Sequence, residues 1–98
     1  MLKTTALLIL MASSALATPA VENDPCVIIG DTAGEIMKAH QAGVPLARVM
    51  EIMGVSDFWR SVVLNAYGTP RYRTDDYQDR AVIDFTTDIM LICYRSME

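Results

Sequence analysis

The sequence is poor in the residues that most site chemistry requires. It has two cysteines and one histidine, His40, in 98 residues. With no C-x-x-C pair, these are too few soft ligands for a structural zinc site. No G-x-S-x-G elbow or comparable local motif places a nucleophile beside His40. The glycine-bearing stretch Gly30-Asp31-Thr32-Ala33-Gly34 follows an apolar run, but Glu35 comes next where a phosphate loop needs Lys-Ser/Thr, and the three glycines of a dinucleotide fingerprint are missing. The carboxylates Asp75, Asp76, Asp79, Asp84 and Asp88 lack the glycine-punctuated D-x-D spacing of a hard-metal loop, and they fit a solvated helix face. The expectation is therefore no catalytic residue, no metal and no cofactor. Positive charge is also scarce, with eight Lys and Arg against twelve Asp and Glu, so neither nucleic acid nor an anionic membrane is expected as the main partner. No low-complexity tract or internal repeat is visible.

Long apolar runs are absent except near the start. There "MLKTTALLILMASSALA" has a charged Lys3, an apolar core from Ala6 to Ala12 and an Ala15-Leu16-Ala17 end. That order is a secretory signal peptide cut after Ala17, and its core is well short of the ~20 residues that span a bilayer. Residues 18–98 then form one 81-residue domain, and loss of Lys3 takes the formal net charge from −4 to −5. A chain of this size is near the lower limit for a self-sufficient core and usually benefits from a staple. Two cysteines in an exported chain imply a Cys26–Cys93 disulfide, which stabilises by about 4 kcal/mol on the chain-entropy account.

Four helices are predicted. Asp24 caps and Pro25 opens the first, about Pro25 to Ala42, whose stripe is Cys26, Ile29, Ala33, Ile36, Met37 and His40. Gly43 supplies a left-handed stop, with Pro45 beyond it. Pro45 opens a short second helix through Leu46, Val49, Met50 and Met53 to Gly54. Ser56 caps a third that carries Phe58, Trp59, Val62, Val63 and Ala66 to Tyr67-Gly68. Thr74 caps the last, with Asp75 and Asp76 favoured by the helix dipole. Its stripe is Tyr77, Ala81, Phe85, Ile89 and Cys93, widened by Val82 and Ile92. A β-strand over "IDFTTDIMLICY" is the competing reading, but strict alternation fails at Asp84-Phe85 and at Met90-Leu91-Ile92. The expected fold is all-α, a small bundle of about four helices clamped by one disulfide between the first and last. Gly30, Ala33 and Gly34 thin one face of the first helix, so another backbone is expected to approach there.

"YGTPRYRTDDY" is the most suggestive surface. Tyr67, Arg71, Tyr72, Arg73 and Tyr77 bracket a turn, and Tyr and Arg are enriched at binding hot spots. The other reading tucks Tyr72 into the core and pairs the arginines with Asp75, Asp76 or Asp79. Trp59 is a second anchor candidate, with core packing favoured for it. His40, near the end of the first helix, is expected at the rim or capping that helix as a cation.

The segments "C-x3-G-x2-AGEIM…QAGVP", "AYGTPRY" and "RAVIDFTTDIMLICY" are together similar to small exported proteins of Gram-negative bacteria and their prophages. The resemblance covers nearly the whole of residues 18–98 and implies compartment and fold, with no activity to assign to residues. A periplasmic or secreted protein acting by contact with an envelope or phage-related protein is the leading expectation. An acid-stress holdase is the second, since carboxylates protonate at low pH and Met37, Met50, Met53, Met90 and Met97 offer adaptable apolar surface. A hydrolase using His40 and a nearby acid is a third class, without a supporting motif.

Overall fold

The computed structural model describes residues 23–98, and the signal-peptide reading of residues 1–17 lies outside them. The described residues form four helices and no strand: α1 (Pro25–Gln41), α2 (Leu46–Met53), α3 (Asp57–Tyr67) and α4 (Asp75–Ser96). Local capping chemistry accounts for where they begin. The Asp24 carboxylate accepts from the Cys26 backbone N–H at 2.9 Å, with Pro25 in the first turn. Ser56 Oγ accepts from Trp59 N–H and Thr74 Oγ1 from Tyr77 N–H. Pro45 lies one position outside α2 rather than opening it. Gly43 has φ +90°, the left-handed conformation that reverses the chain after α1.

Helix α1 is the common floor on which α2, α3 and α4 pack. The core joins Ile36 and Met37 of α1, Val49 of α2, Val62, Val63 and Ala66 of α3, and Ala81, Phe85 and Ile89 of α4. Trp59 is partly buried against it, in keeping with core packing, whereas Phe58 is exposed. Three members of the predicted α4 stripe do not enter the core, the partly buried Cys93 and two exposed residues. Tyr77 is 57% and Ile92 53% exposed, because the burial stripe on α4 narrows to the residues that meet α1.

Glycines set the α1–α4 separation. A Cβ on Gly30 would collide with the Met90 side chain and come within 3.2 Å of the Thr86 carbonyl oxygen, and one on Gly34 would collide with Thr86 Oγ1. Alanine at position 34 gains up to about 1 kcal/mol of helix propensity, but overpacking in a tight contact costs about 1–3 kcal/mol. Gly34→Ala is therefore expected to destabilise, and adding Thr86→Ala, which removes the obstructing hydroxyl, to restore most of the loss. Urea unfolding of the two single variants and the pair checks this, and equal losses with and without Thr86→Ala would discard the close-approach explanation.

The Cys26–Cys93 disulfide joins the start of α1 to the end of α4, with Cα atoms 5.5 Å apart. Cys26 is fully buried and Cys93 only partly, and Met97 Sδ lies 3.9 Å from Cys26 Sγ. The bond thus closes the outer end of the α1–α4 pair rather than lying within the apolar core. A disulfide is compatible with an oxidising compartment outside the cytoplasm. No helix among the described residues is long and apolar enough to cross a membrane.

Candidate functional site

The five predicted contact residues span the end of α3 (Tyr67), the link to α4 (Arg71, Tyr72 and Arg73) and the first turn of α4 (Tyr77), and the structure separates their roles. Tyr67 turns inward. Its ring lies 4.3 Å from that of His40, its hydroxyl donates to the Val44 carbonyl at 2.6 Å, and burial pushes its phenol pKa up. Arg71 folds back over the end of α1, where Nη2 donates to the Gln41 carbonyl at 3.4 Å and the guanidinium covers Gly43. A fixed cation there meets the negative end of the α1 dipole. Arg73 is exposed, and the ion pair among the described residues is Lys38–Glu35. The expected pairing of the loop arginines with Asp75, Asp76 or Asp79 is thus not formed.

Tyr72 and Tyr77 come together at the surface. Their ring centroids are 5.9 Å apart, and the Arg80 guanidinium carbon lies 5.9 Å from the Tyr77 centroid. Tyr72 is 38% exposed, so it is not tucked into the core. The result is an aromatic pair with a cation on its flank, the mixture of rigid apolar area and donors found at contact hot spots.

Gln41 holds this surface in place. It is buried, its Nε2 donates to the Pro70 carbonyl at 2.9 Å, and its Oε1 accepts from the Tyr72 N–H at 2.8 Å. One amide thereby completes the Pro70 carbonyl and the Tyr72 N–H of an irregular link that has no helix or sheet partner for them. Beside it, His40 Nε2–H donates to the Thr69 carbonyl at 2.6 Å, and Gln78 Nε2 donates to the Tyr72 carbonyl at 2.7 Å. His40 therefore ties the loop to α1 instead of capping α1 as expected. Every buried side-chain nitrogen and oxygen among the described residues has a partner. Gln41 is the residue that sequence reasoning missed. Its only sequence signal is a polar side chain one position after His40 at the end of the helix.

Comparison with protein-family models, with curated proteins and with solved structures returned no match. Function therefore has to be argued from the geometry. Among the described residues no three His, Cys, Asp or Glu side chains come together as a metal site would need.

A second polar feature joins the chain ends. The hydroxyl of Tyr94, the residue after Cys93, donates to Asp24 Oδ2, and this bond with the Cys26 N–H holds the Asp24 carboxyl below its usual range while raising the Tyr94 phenol above its own. A lowered acid contributes stability that is present above its unfolded pKa, near 3.8, and lost as pH falls through its folded value. A raised phenol contributes stability that is present below its unfolded pKa, near 10.0, and lost as pH rises through its folded value. The pair is thus expected to stabilise between those limits and weaken on both sides. Tyr94→Phe should flatten both limbs of the stability–pH curve, as read by thermal melts across pH. A curve of unchanged shape would show that the bond does not contribute in solution.

Proposed function

We propose that this is an exported periplasmic protein that acts by holding a protein partner of the cell envelope or of a phage, with Tyr72 and Tyr77 as the anchor pair. One observation carries the reading: two tyrosines stand exposed side by side, Tyr72 on a link whose backbone is fixed by Gln41, His40 and Gln78 and Tyr77 on the first turn of α4. Exposed aromatics on a mobile loop lose entropy when they bind, whereas a pinned pair has largely met that cost at folding. Arg73 and Arg80 add donors at the rim. Support for the compartment comes from the signal-like first 17 residues and from the disulfide.

The test is in vivo photo-cross-linking from position 77, followed by affinity measurement with the captured protein. Tyr72→Ala/Tyr77→Ala is expected to weaken binding by about thirtyfold or more, as hot-spot truncations of about 2 kcal/mol or greater do. A double variant that keeps its disulfide and helicity and still binds with the original affinity would sink the assignment. Arg71→Ala is the wrong probe, since Arg71 covers the end of α1 and its loss disturbs folding first.

The holdase reading draws on one observation, the Asp24–Tyr94 link, which loses its charge-assisted hydrogen bond in acid. If it holds, the protein suppresses client aggregation near pH 3 and not at pH 7. The disulfide still closes the α1–α4 end in acid, so the aromatic-pair reading is preferred.

A further inference from the structure

The tyrosine pair stands at one end of a longer feature. Three adjoining hollows, of about 240, 130 and 480 Å³, run along one face of α4. The first and second share Tyr72, Ala81 and Asp84, and the second and third share Thr69, Phe85 and Asp88, so they form one groove. Its floor is Ala81, Phe85 and Ile89, and the α3–α4 link and the end of α3 form the facing wall. Ile92, which the stripe on α4 assigns to the core, instead lines the far hollow half exposed. From Tyr77 to Arg95 the helix rises about 27 Å, at about 1.5 Å per residue.

Charge along the lip is ordered. Arg80, Asp84, Asp88 and Arg95 follow one another along the groove, and none of them is ion-paired among the described residues. The order is plus, minus, minus, plus. Asp84 and Asp88 are one turn apart, the spacing at which a second helix presents two side chains on one face. Apolar floor residues at four-residue intervals likewise suit the ridge of a helix lying alongside.

We infer that the groove receives an amphipathic helix of the protein partner, carrying two basic residues one turn apart that face Asp84 and Asp88, flanked by acidic residues toward Arg80 and Arg95. This rests on the protein-contact reading and adds to it the chemistry of the partner. A uniformly basic segment meets repulsion at both ends of the groove, so the sign pattern, not net charge, selects the partner. Nucleic acid meets Asp84 and Asp88 and is disfavoured.

Two helical peptides of identical composition and zero net charge separate pattern from bulk attraction. One carries Glu-Lys-Lys-Glu at spacings of four, four and seven residues, with apolar residues on the same face, and is made in both chain directions. The other carries Lys-Glu-Glu-Lys at the same positions. The oxidised protein is expected to bind the first, in one of its directions, at least tenfold more tightly than the second by fluorescence anisotropy. Asp84→Lys/Asp88→Lys should abolish that preference, since each peptide then meets two like and two unlike charges, and Asp84→Asn/Asp88→Asn should reduce it to what Arg80 and Arg95 supply. Lysine at Asp75 and Asp79, outside the groove, should change nothing. Equal binding of the two peptides, no binding at 1 mM, or an unaltered preference in the lysine variant would overturn the inference. Self-association that is lost in Asp84→Lys/Asp88→Lys would overturn it too, by giving the groove to a second copy of the chain. A natural partner that cross-links from position 77 and is unaffected by the groove variants would refute the groove alone. No partner from position 77 or position 88 would remove the contact reading beneath it.

Discussion

Replacing Cys26 and Cys93 by serine is expected to remove about 4 kcal/mol of stability, the largest effect of any change in this chain. The bond closes a loop of 67 residues, and on the chain-entropy account that constraint on the unfolded ensemble gives the magnitude. Small domains have only about 5–15 kcal/mol in total, and this one sits toward the small end. The expected fall in melting temperature is about 20 °C, because 1 kcal/mol moves a domain of this size by about 4–8 °C. The ends of α1 and α4 should fray first. There the Asp24–Tyr94 hydrogen bond and the Met97 contact are the other links beside the disulfide. Melts followed by circular dichroism, with and without reductant, measure this directly. A reduced protein melting within about 5 °C of the oxidised one would mean that the α1–α4 contact at Gly30 and Gly34 is sufficient alone.

The second large effect is expected at Gln41. Gln41→Ala leaves the Tyr72 N–H and the Pro70 carbonyl without their partner, and an unsatisfied buried group costs about 1–3 kcal/mol. A loss of about 3 kcal/mol should therefore be accompanied by release of the 69–72 segment, faster amide exchange at Tyr72, and weaker partner binding although neither tyrosine is altered. Gln41→Glu divides the two bonds. A carboxylate can still accept from the Tyr72 N–H but cannot donate to the Pro70 carbonyl. Burial and that carbonyl both favour the protonated acid, so the folded pKa of the new group lies above its unfolded value. Its deficit relative to the native chain should then be largest at neutral pH and shrink as pH falls toward 4. A deficit independent of pH would show that the donor bond to Pro70 is not what Gln41 contributes.

Most of the fold was legible because its signals are short-range. Asp24-Pro25, Ser56 and Thr74 act on backbone groups two or three residues away, and Gly43 acts on its own φ, so the helix limits are visible to within a residue or two. The small-residue face at Gly30 and Gly34 was legible for a related reason, since glycine inside a helix carries a local penalty that asks for a compensating contact. The contact surface was legible only as composition. The sequence places Tyr67, Arg71, Tyr72, Arg73 and Tyr77 close together, yet Tyr67 turns inward and Arg71 lies over the end of α1, and Arg80 joins the aromatic pair only because α4 carries it beside Tyr77.

The sequence by itself determined four helices, three of them with side-chain caps, the two residues available for a disulfide, an acidic surface and a glycine-thinned face on α1. Each follows from residue identity and a spacing of four or fewer, or from a count that leaves no other choice. Only the tertiary structure decided that His40 and Gln41 hold a loop 29 to 31 residues away, that Ile92 lines a groove instead of the core, and that the face of α4 carrying Arg80, Asp84, Asp88 and Arg95 borders that groove. Those outcomes depend on how far α3 stands from α4 across α1. That distance is set by packing among residues remote in the chain, for which no local pattern exists.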